Sequence, residues 1–472
     1  MGEMLELNCS LIEPVYSQTE PNQPIALGKH AVEVTSEGDA QLRKYECDVR
    51  LQFLPKERLV FEVLHRTEVS DDPQTVLSSF ARMIERWERD PDEKLSLVNR
   101  CVDFDVFNVG TNEHGEPTYG PKSSVVKATA LSDNIKWGVA HLFNFPEFLP
   151  STDYRLAQGA GWRRCGRIVL SDGSWRITIA ATDRTSEACN LLKQRGGFAI
   201  THMVKFERLD NSVFSCRSFE DVLRCLHHFL AFALGRWAGL ALPIGFDEAG
   251  NRVFEEWGLP MAADGNWNAG LSWFDSHSGE TLAEVFPGFM KLWKDELWNR
   301  AVQECLYWYV AANERGIGVG IDTGLILTQT ALEQLAWTYC VKYRKMVSPR
   351  AFGHGGLYAA DKLRLLLSSL DIPLAIPDAL SALVKPPPHT KNVKDGKWDD
   401  ALHALTEIRN SIVHPDAKFK PPKDAIIDSW KLSLWLIEMS LLRLCTHNGR
   451  YGNRLRKRWA GETELVPWAA LQ

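Results

Sequence analysis

The stretch Glu407-Ile-Arg409-Asn410-Ser-Ile-Val-His414-Pro415 (E-I-R-N-S-I-V-H-P) decides how the last third of this chain is read. Upstream of it, Leu402 and Leu405, and within it Ile412, recur at helical spacing. That spacing predicts an amphipathic helix over 398–413. Arg409 falls on the same stripe, where the pattern asks for an apolar residue. Burying an unpaired guanidinium costs several kcal/mol. Arg409 therefore pairs internally or opens onto a place that an anion fills. The planar guanidinium stays charged at every working pH and matches phosphate bidentately. His414 precedes a proline, which pushes its backbone out of the α region, so the helix ends near Val413 or His414. In a continuous helix, five steps would set the two side chains about 140° apart. At a frayed end the histidine can swing back toward the arginine. A helix C-terminus favours the imidazolium, and histidine exchanges protons near neutrality. Asn410 adds an amide that can hold a phosphate oxygen or orient the ring.

An arginine, a histidine and an amide suffice for metal-free RNA cleavage. The ribose 2′-OH attacks phosphorus, Arg409 stabilises the phosphorane, and His414 moves a proton. DNA lacks the nucleophile. The spacing alone is weak. Similar pairs occur at Arg58…His65 and Arg195…His202 in strand-like segments, and both are read as incidental. The plain alternative is a capping interaction beside a surface arginine.

The setting adds to the pattern. Amphipathic helices are predicted at about Thr323–Val341, Leu357–Leu370, Trp398–Val413 and Asp424–Leu444. With modest loops these imply an antiparallel four-helix bundle. The loop from Lys385 through three prolines to Asn392 separates the second and third. On these helices and the E-I-R-N-S-I-V-H-P motif, the region 320–460 resembles the HEPN superfamily of bacterial ribonucleases. It looks closest to the HEPN domain of ApeA-like anti-phage proteins. The helix Ala360-Asp-Lys-Leu-Arg-Leu-Leu-Leu-Ser-Ser-Leu370 also carries the resemblance. The resemblance implies a metal-independent, cofactor-free endoribonuclease. Its active site would form where two copies of the motif face each other in a homodimer, with catalytic roles on Arg409, Asn410 and His414. It further implies a toxic, abortive-infection effector that cuts tRNA or mRNA after a phage-derived trigger. Asp416, Ala417, Lys418 and Phe419 follow Pro415, with no tyrosine. This departs from HEPN toxins silenced through such a tyrosine. The alternative is a HEPN domain kept for RNA binding or dimerisation without catalysis.

Beyond the fourth helix, Arg443, Arg450, Arg454, Arg456, Lys457 and Arg458 stand near Tyr451 and Trp459. Cations with interleaved aromatics can hold an RNA backbone and stack a base, or simply form a solvated end.

Upstream the period changes to two. Tyr45–Phe53 alternates as a strand, with Leu59–Leu64 as its hairpin partner. Strands follow at Arg167–Leu170, Trp175–Ala180 and Phe198–Phe206, with helices at Thr75–Trp87 and Ala188–Lys193. Residues 1–40 read as polar and broken. From Phe219 the pattern is mixed. A helix is followed by β stretches Leu240–Gly245 and Asn251–Trp257, a Trp-rich loop Asp264–Ser278, and helices Leu282–Trp293 and Trp298–Glu314. The expected fold is α+β: a β-rich domain (1–210), a mixed connector (211–318), and an all-α HEPN four-helix bundle with a basic tail (319–472).

The 472 residues are 45% hydrophobic and 24% charged, which is a globular composition. A net charge of −6 argues against a general nucleic-acid coat but leaves room for a local basic patch. No bilayer-length apolar run or signal-peptide pattern is found, so a cytoplasmic protein off the membrane is expected. The ten cysteines are scattered without C-x-x-C pairs and read as reduced and buried. His227-His228 lies among apolar residues and reads as core. Gly316-Ile-Gly318 lacks the strand and Lys-Ser/Thr of a phosphate loop and reads as a hinge. Glu333 is either exposed or a partner for Arg409.

Overall fold

Period-two alternation builds the first unit. β1 (Ile25–Thr35), β2 (Arg43–Gln52), β3 (Arg58–Arg66), β4 (Lys94–Leu97), β5 (Val102–Thr111) and β6 (Pro117–Pro121) close into an antiparallel barrel in the order β1-β2-β3-β6-β5-β4. Ile25, Leu27, Val49, Leu51, Leu59 and Phe61 are its buried apolar set. β1 is a correction: residues 25–35 were read as polar, yet Ile25, Leu27 and Val32 are all buried. The computed structural model describes residues 12–35, 43–54, 57–66, 94–97, 102–111, 117–121, 125–127, 133–149, 166–259, 271–314, 320–353, 356–386, 396–414 and 420–471. The helix expected at Thr75–Trp87 lies outside them, as does most of the proline loop after Pro386.

The second unit is an antiparallel sheet of seven strands. It adds β7 (Val125–Lys127), β8 (Trp137–Phe143), β9 (Arg167–Ser171), β10 (Trp175–Ala181), β11 (Ile200–Arg208), β12 (Gly239–Phe246) and β13 (Arg252–Gly258). The order is β7-β13-β12-β8-β11-β10-β9. Helix α1 (Thr185–Arg195) joins β10 to β11, and α2 (Cys216–Leu234) joins β11 to β12. Ser215 caps α2 by accepting the Ser218 N–H, and Gly235 ends it in the left-handed conformation at φ 66°. The boundary expected at residue 210 is not a boundary of the fold. β12 lies beside β8 in the same sheet, so the mixed connector completes the sheet. Strand β8 explains why this was hidden. Val139 and Phe143 face the barrel side, while Ala140 and Leu142 face the helical side. A strand buried on both faces shows no polar alternation.

The helical region follows: α3 (Glu280–Lys294), α4 (Glu296–Asn313), α5 (Ile321–Ala336), a π-helical turn (Trp337–Tyr343), α6 (Pro349–Gly353), α7 (Ala359–Ser369), α8 (Ala401–Val413) and α9 (Lys423–Leu444). All four helices expected after residue 320 are present. They do not have a core of their own. One apolar core runs from Ile135 in the sheet through α2–α5 to Trp468, and α4 lies against α5. Gly288 lets α3 approach the end of α9, since a Cβ there would meet the Cys445 carbonyl at 1.9 Å. The sheet is thus packed between the barrel and the helices. The architecture is α+β, with a β-rich N-terminal half and a helical C-terminal region. Among the described residues no helix is long and apolar enough to cross a membrane.

Candidate functional site at the end of helix α8

Helix α8 is anchored at its start and loose at its end. Asp400 caps it by accepting the Leu402 and His403 N–H groups at 3.0 and 2.8 Å. The same carboxylate accepts Arg364 Nε of α7 at 2.7 Å. The first two turns are buried on nearly every side, through Ala401, Leu402, Ala404, Leu405 and Ile408. From Arg409 onward the helix emerges, and Ile412 only leans on the core.

Arg409 sits at this emergence and is half-buried. Its Nη1 donates to Asn410 Oδ1 at 3.3 Å. Its Nε is buried without a hydrogen-bond partner among the described residues. Leaving such a donor unmet costs about 1–3 kcal/mol. Glu333 on α5 does not cancel the charge. It accepts Gln329 Nε2 at 2.8 Å, and no ion pair joins it to Arg409 among the described residues. His414 leaves the helix with φ −101° and ψ 115°, while its N–H still closes the last turn on the Asn410 carbonyl at 3.0 Å. Its side chain is exposed and unbonded among the described residues. The structure therefore joins Arg409 to Asn410 and places His414 at the same helix end, its side chain without a bond to either among the described residues. Residues 415–419 lie outside the described set.

Of the six tail cations, Arg454 is buried, Arg443 and Arg458 are partly buried, and Arg450, Arg456 and Lys457 are exposed. Arg454 is a correction: its side chain is 3% exposed, so it cannot meet a phosphate backbone. Its Nε donates to both Glu438 oxygens at 3.0 Å, and Nη1 donates to Asn313 Oδ1 at 3.0 Å. Tyr309 donates its hydroxyl to the same Glu438. Tyr451, expected as a stacking residue, is also buried, and its hydroxyl bonds Glu464 at 3.0 Å. Arg458 is tied to Asp275, Arg443 to Asp371 at 2.6 Å, and Arg450 to Thr463. Arg456 pairs loosely with Glu464 at 3.4 Å. Lys457 and Trp459 remain exposed. The partners Tyr309, Asn313 and Glu438 were missed. The signal was Glu438 itself, a carboxylate inside the apolar run L-W-L-I-E-M-S-L-L.

The other polar groups are interior. His227 stacks on Trp237 at 5.1 Å, and burial lowers its pKa to about 3. At the barrel–sheet junction, His141 accepts the Tyr16 N–H at 3.0 Å, and Tyr16 donates its hydroxyl to buried Glu255. Burial lowers the His141 pKa to about 4. The seven described cysteines are buried. Gly316 and Gly318 lie outside the described residues. A cleft of about 140 Å³ lies apart from α8, lined by Tyr16, Gln18, Thr182, Arg184, Glu187 and Ile200 among others. Four exposed cations at 342–350 were also missed.

Comparison with known proteins gives no matching solved structure. Residues 131–267 match the family model of the YopA central domain, and residues 295–465 that of the YopA C-terminal domain. The first match covers most of the sheet, and the second covers α4 through β15 (Glu464–Leu465). Along nearly its whole length, the chain is similar to the SPbeta prophage-derived uncharacterized protein YopA of Bacillus subtilis (strain 168), with 26% identity over 469 residues, 97% of this chain and 98% of that protein.

Proposed function

We propose that this protein is a HEPN-type endoribonuclease whose helices α5, α7, α8 and α9 form the HEPN bundle. One observation carries the reading: Arg409 holds a half-buried guanidinium whose buried Nε has no partner among the described residues, beside Asn410 and at the helix end where His414 turns out. An anion that meets this guanidinium satisfies what the chain leaves open. In the proposed reaction a histidine takes the proton of the ribose 2′-OH as its oxygen attacks phosphorus. Arg409 stabilises charge on the phosphorane. The 5′-oxygen leaves with a proton from the histidine of the second copy, giving a 2′,3′-cyclic phosphate and a 5′-hydroxyl. No metal ion is needed for these steps. The substrate would be tRNA or mRNA in the cytoplasm, cut during abortive infection after a phage-derived trigger. This biological role rests on the HEPN resemblance, and the relative's prophage origin fits it.

A second reading keeps the fold for RNA binding or dimerisation without cleavage. What favours it is that the His414 side chain bonds neither Arg409 nor Asn410 among the described residues. The test is incubation of the protein with total cellular RNA in excess chelator, followed by mapping of the ends. Discrete cuts with cyclic phosphate ends, abolished by 2′-deoxy substitution at the cut nucleotide, support the enzyme. Tight RNA binding with intact RNA supports the binding module.

A further inference from the structure

The π-helical turn Trp337–Tyr343 runs into the segment Lys342-Tyr-Arg-Lys-Met-Val-Ser-Pro-Arg350. Lys342, Arg344, Lys345 and Arg350 are all exposed. None of the four side chains forms an ion pair or hydrogen bond among the described residues. The sequence around them holds no carboxylate between Glu333 and Asp361, in a chain of net charge −6. The other exposed arginines that drew attention behave differently, since Arg443, Arg450 and Arg456 each have an acceptor.

A helix C-terminus favours a cation or two for the sake of the helix dipole. Four cations without a carboxylate exceed that need, and their mutual repulsion is a cost that an anionic partner would remove. The backbone under them is fixed. Arg344 N–H bonds the Tyr339 carbonyl at 2.8 Å, and Met346 N–H bonds the Cys340 carbonyl at 2.7 Å. Lys345 is held at φ 51°, a left-handed conformation that reverses the chain. Tyr343 stands among the cations, 52% exposed. Its ring is steadied by an edge contact with Trp298 at 5.6 Å and a tilted contact with Tyr339 at 5.8 Å, while about half of its surface stays open. Spaced cations around a rigid, half-open aromatic ring form the usual platform for a single-stranded nucleic acid.

We infer that the surface formed by Lys342, Tyr343, Arg344, Lys345 and Arg350 binds the backbone of single-stranded RNA, with a base stacked on Tyr343. The surface lies at the end of the helix stack that carries α8, since α5 leads into it and packs against α8. The inference deepens the ribonuclease reading by assigning the grip on substrate to a place apart from Arg409 and His414. It does not depend on cleavage.

The experiment measures binding of the full chain to a fluorescein-labelled 20-nucleotide uridine-rich RNA across 50–300 mM salt. The variants are Lys342→Gln/Arg344→Gln/Lys345→Gln/Arg350→Gln and, as a control at an exposed lysine elsewhere, Lys291→Gln. All these side chains are exposed, and melting curves check folding. The wild type is expected to bind, with a log–log salt slope that falls by about 0.7 for each phosphate contact removed. The fourfold variant is expected to lose at least tenfold in affinity at low salt, while Lys291→Gln keeps wild-type affinity. Tyr343→Phe keeps the ring and the affinity, and Tyr343→Ser loses roughly tenfold. Equal affinity and slope in wild type and fourfold variant overturn the inference. So does absence of wild-type binding, or binding by these cations only to phosphatidylserine vesicles. If the wild type binds through this surface but does not cut, the surface stands and the nuclease reading falls.

Discussion

Two arginines in the helical region make opposite statements. Arg454 lies inside, and its guanidinium meets Glu438, Asn313 and a backbone carbonyl, with Tyr309 completing the carboxylate. Arg409 lies at a rim, and its buried Nε meets nothing among the described residues. A satisfied buried charge fixes packing. It joins the C-terminal tail to α9, α4 and the loop before α3. An unsatisfied one leaves a donor for something outside the chain. Arg454 is thus structural, and Arg409 is the arginine proposed to meet RNA, although both were candidates for touching it.

The comparison can be broken from the Arg454 side first. Arg454→Met leaves the Glu438 carboxylate buried without its charge partner. Such breakage costs about 3–5 kcal/mol. Urea unfolding should show a loss of that size, and the double variant Arg454→Met/Glu438→Leu should recover much of it. A loss under 1 kcal/mol would mean that the network is not structural.

A second contrast is the pH dependence of the buried histidines. His202 is wholly buried between Phe145 and Phe148, with both ring nitrogens unpartnered among the described residues. Burial lowers its pKa to about 3. The unfolded chain therefore binds this proton more readily than the folded one. The stability this neutral ring contributes is full above about pH 6.5 and is lost as pH falls toward 3. Between pH 7 and pH 5 the loss is about 2 kcal/mol from this residue alone. His202→Phe should flatten that part of the profile. Parallel profiles for the two proteins would contradict the assignment.

The rim should be quiet in stability. Arg409→Gln removes a half-met charge and should change unfolding free energy by no more than about 1 kcal/mol. His414→Ala is exposed and should change it by less than about 0.5 kcal/mol. A large destabilisation by either would move that residue to the structural side.

Much of the helical region was legible, for a physical reason. Helices buried largely on one face, such as α5, repeat at 3.6 residues, and α8 was readable because its apolar positions met Arg409 on their own stripe. Half-buried hairpins such as β2–β3 and β9–β10 alternate and were legible too. Strand β8 was not, since both its faces are covered, and with it went the continuity of the sheet past residue 210. Long-range partners leave little local trace. Arg454 finds Asn313 and Leu271 far away in sequence, so its burial could not be read from its basic neighbours. The cations at 342–350 failed in the opposite way. Their meaning lies in the carboxylates that are missing around them.

The central claim is that Arg409 and His414 form one RNA-cleaving site. Its most direct measurement is cleavage of a mapped RNA substrate by wild type, Arg409→Gln and His414→Ala, each verified as folded by its melting curve. The account predicts cyclic phosphate ends with wild type and a rate at least one hundredfold lower with either variant. Cleavage at the wild-type rate by folded His414→Ala would contradict it.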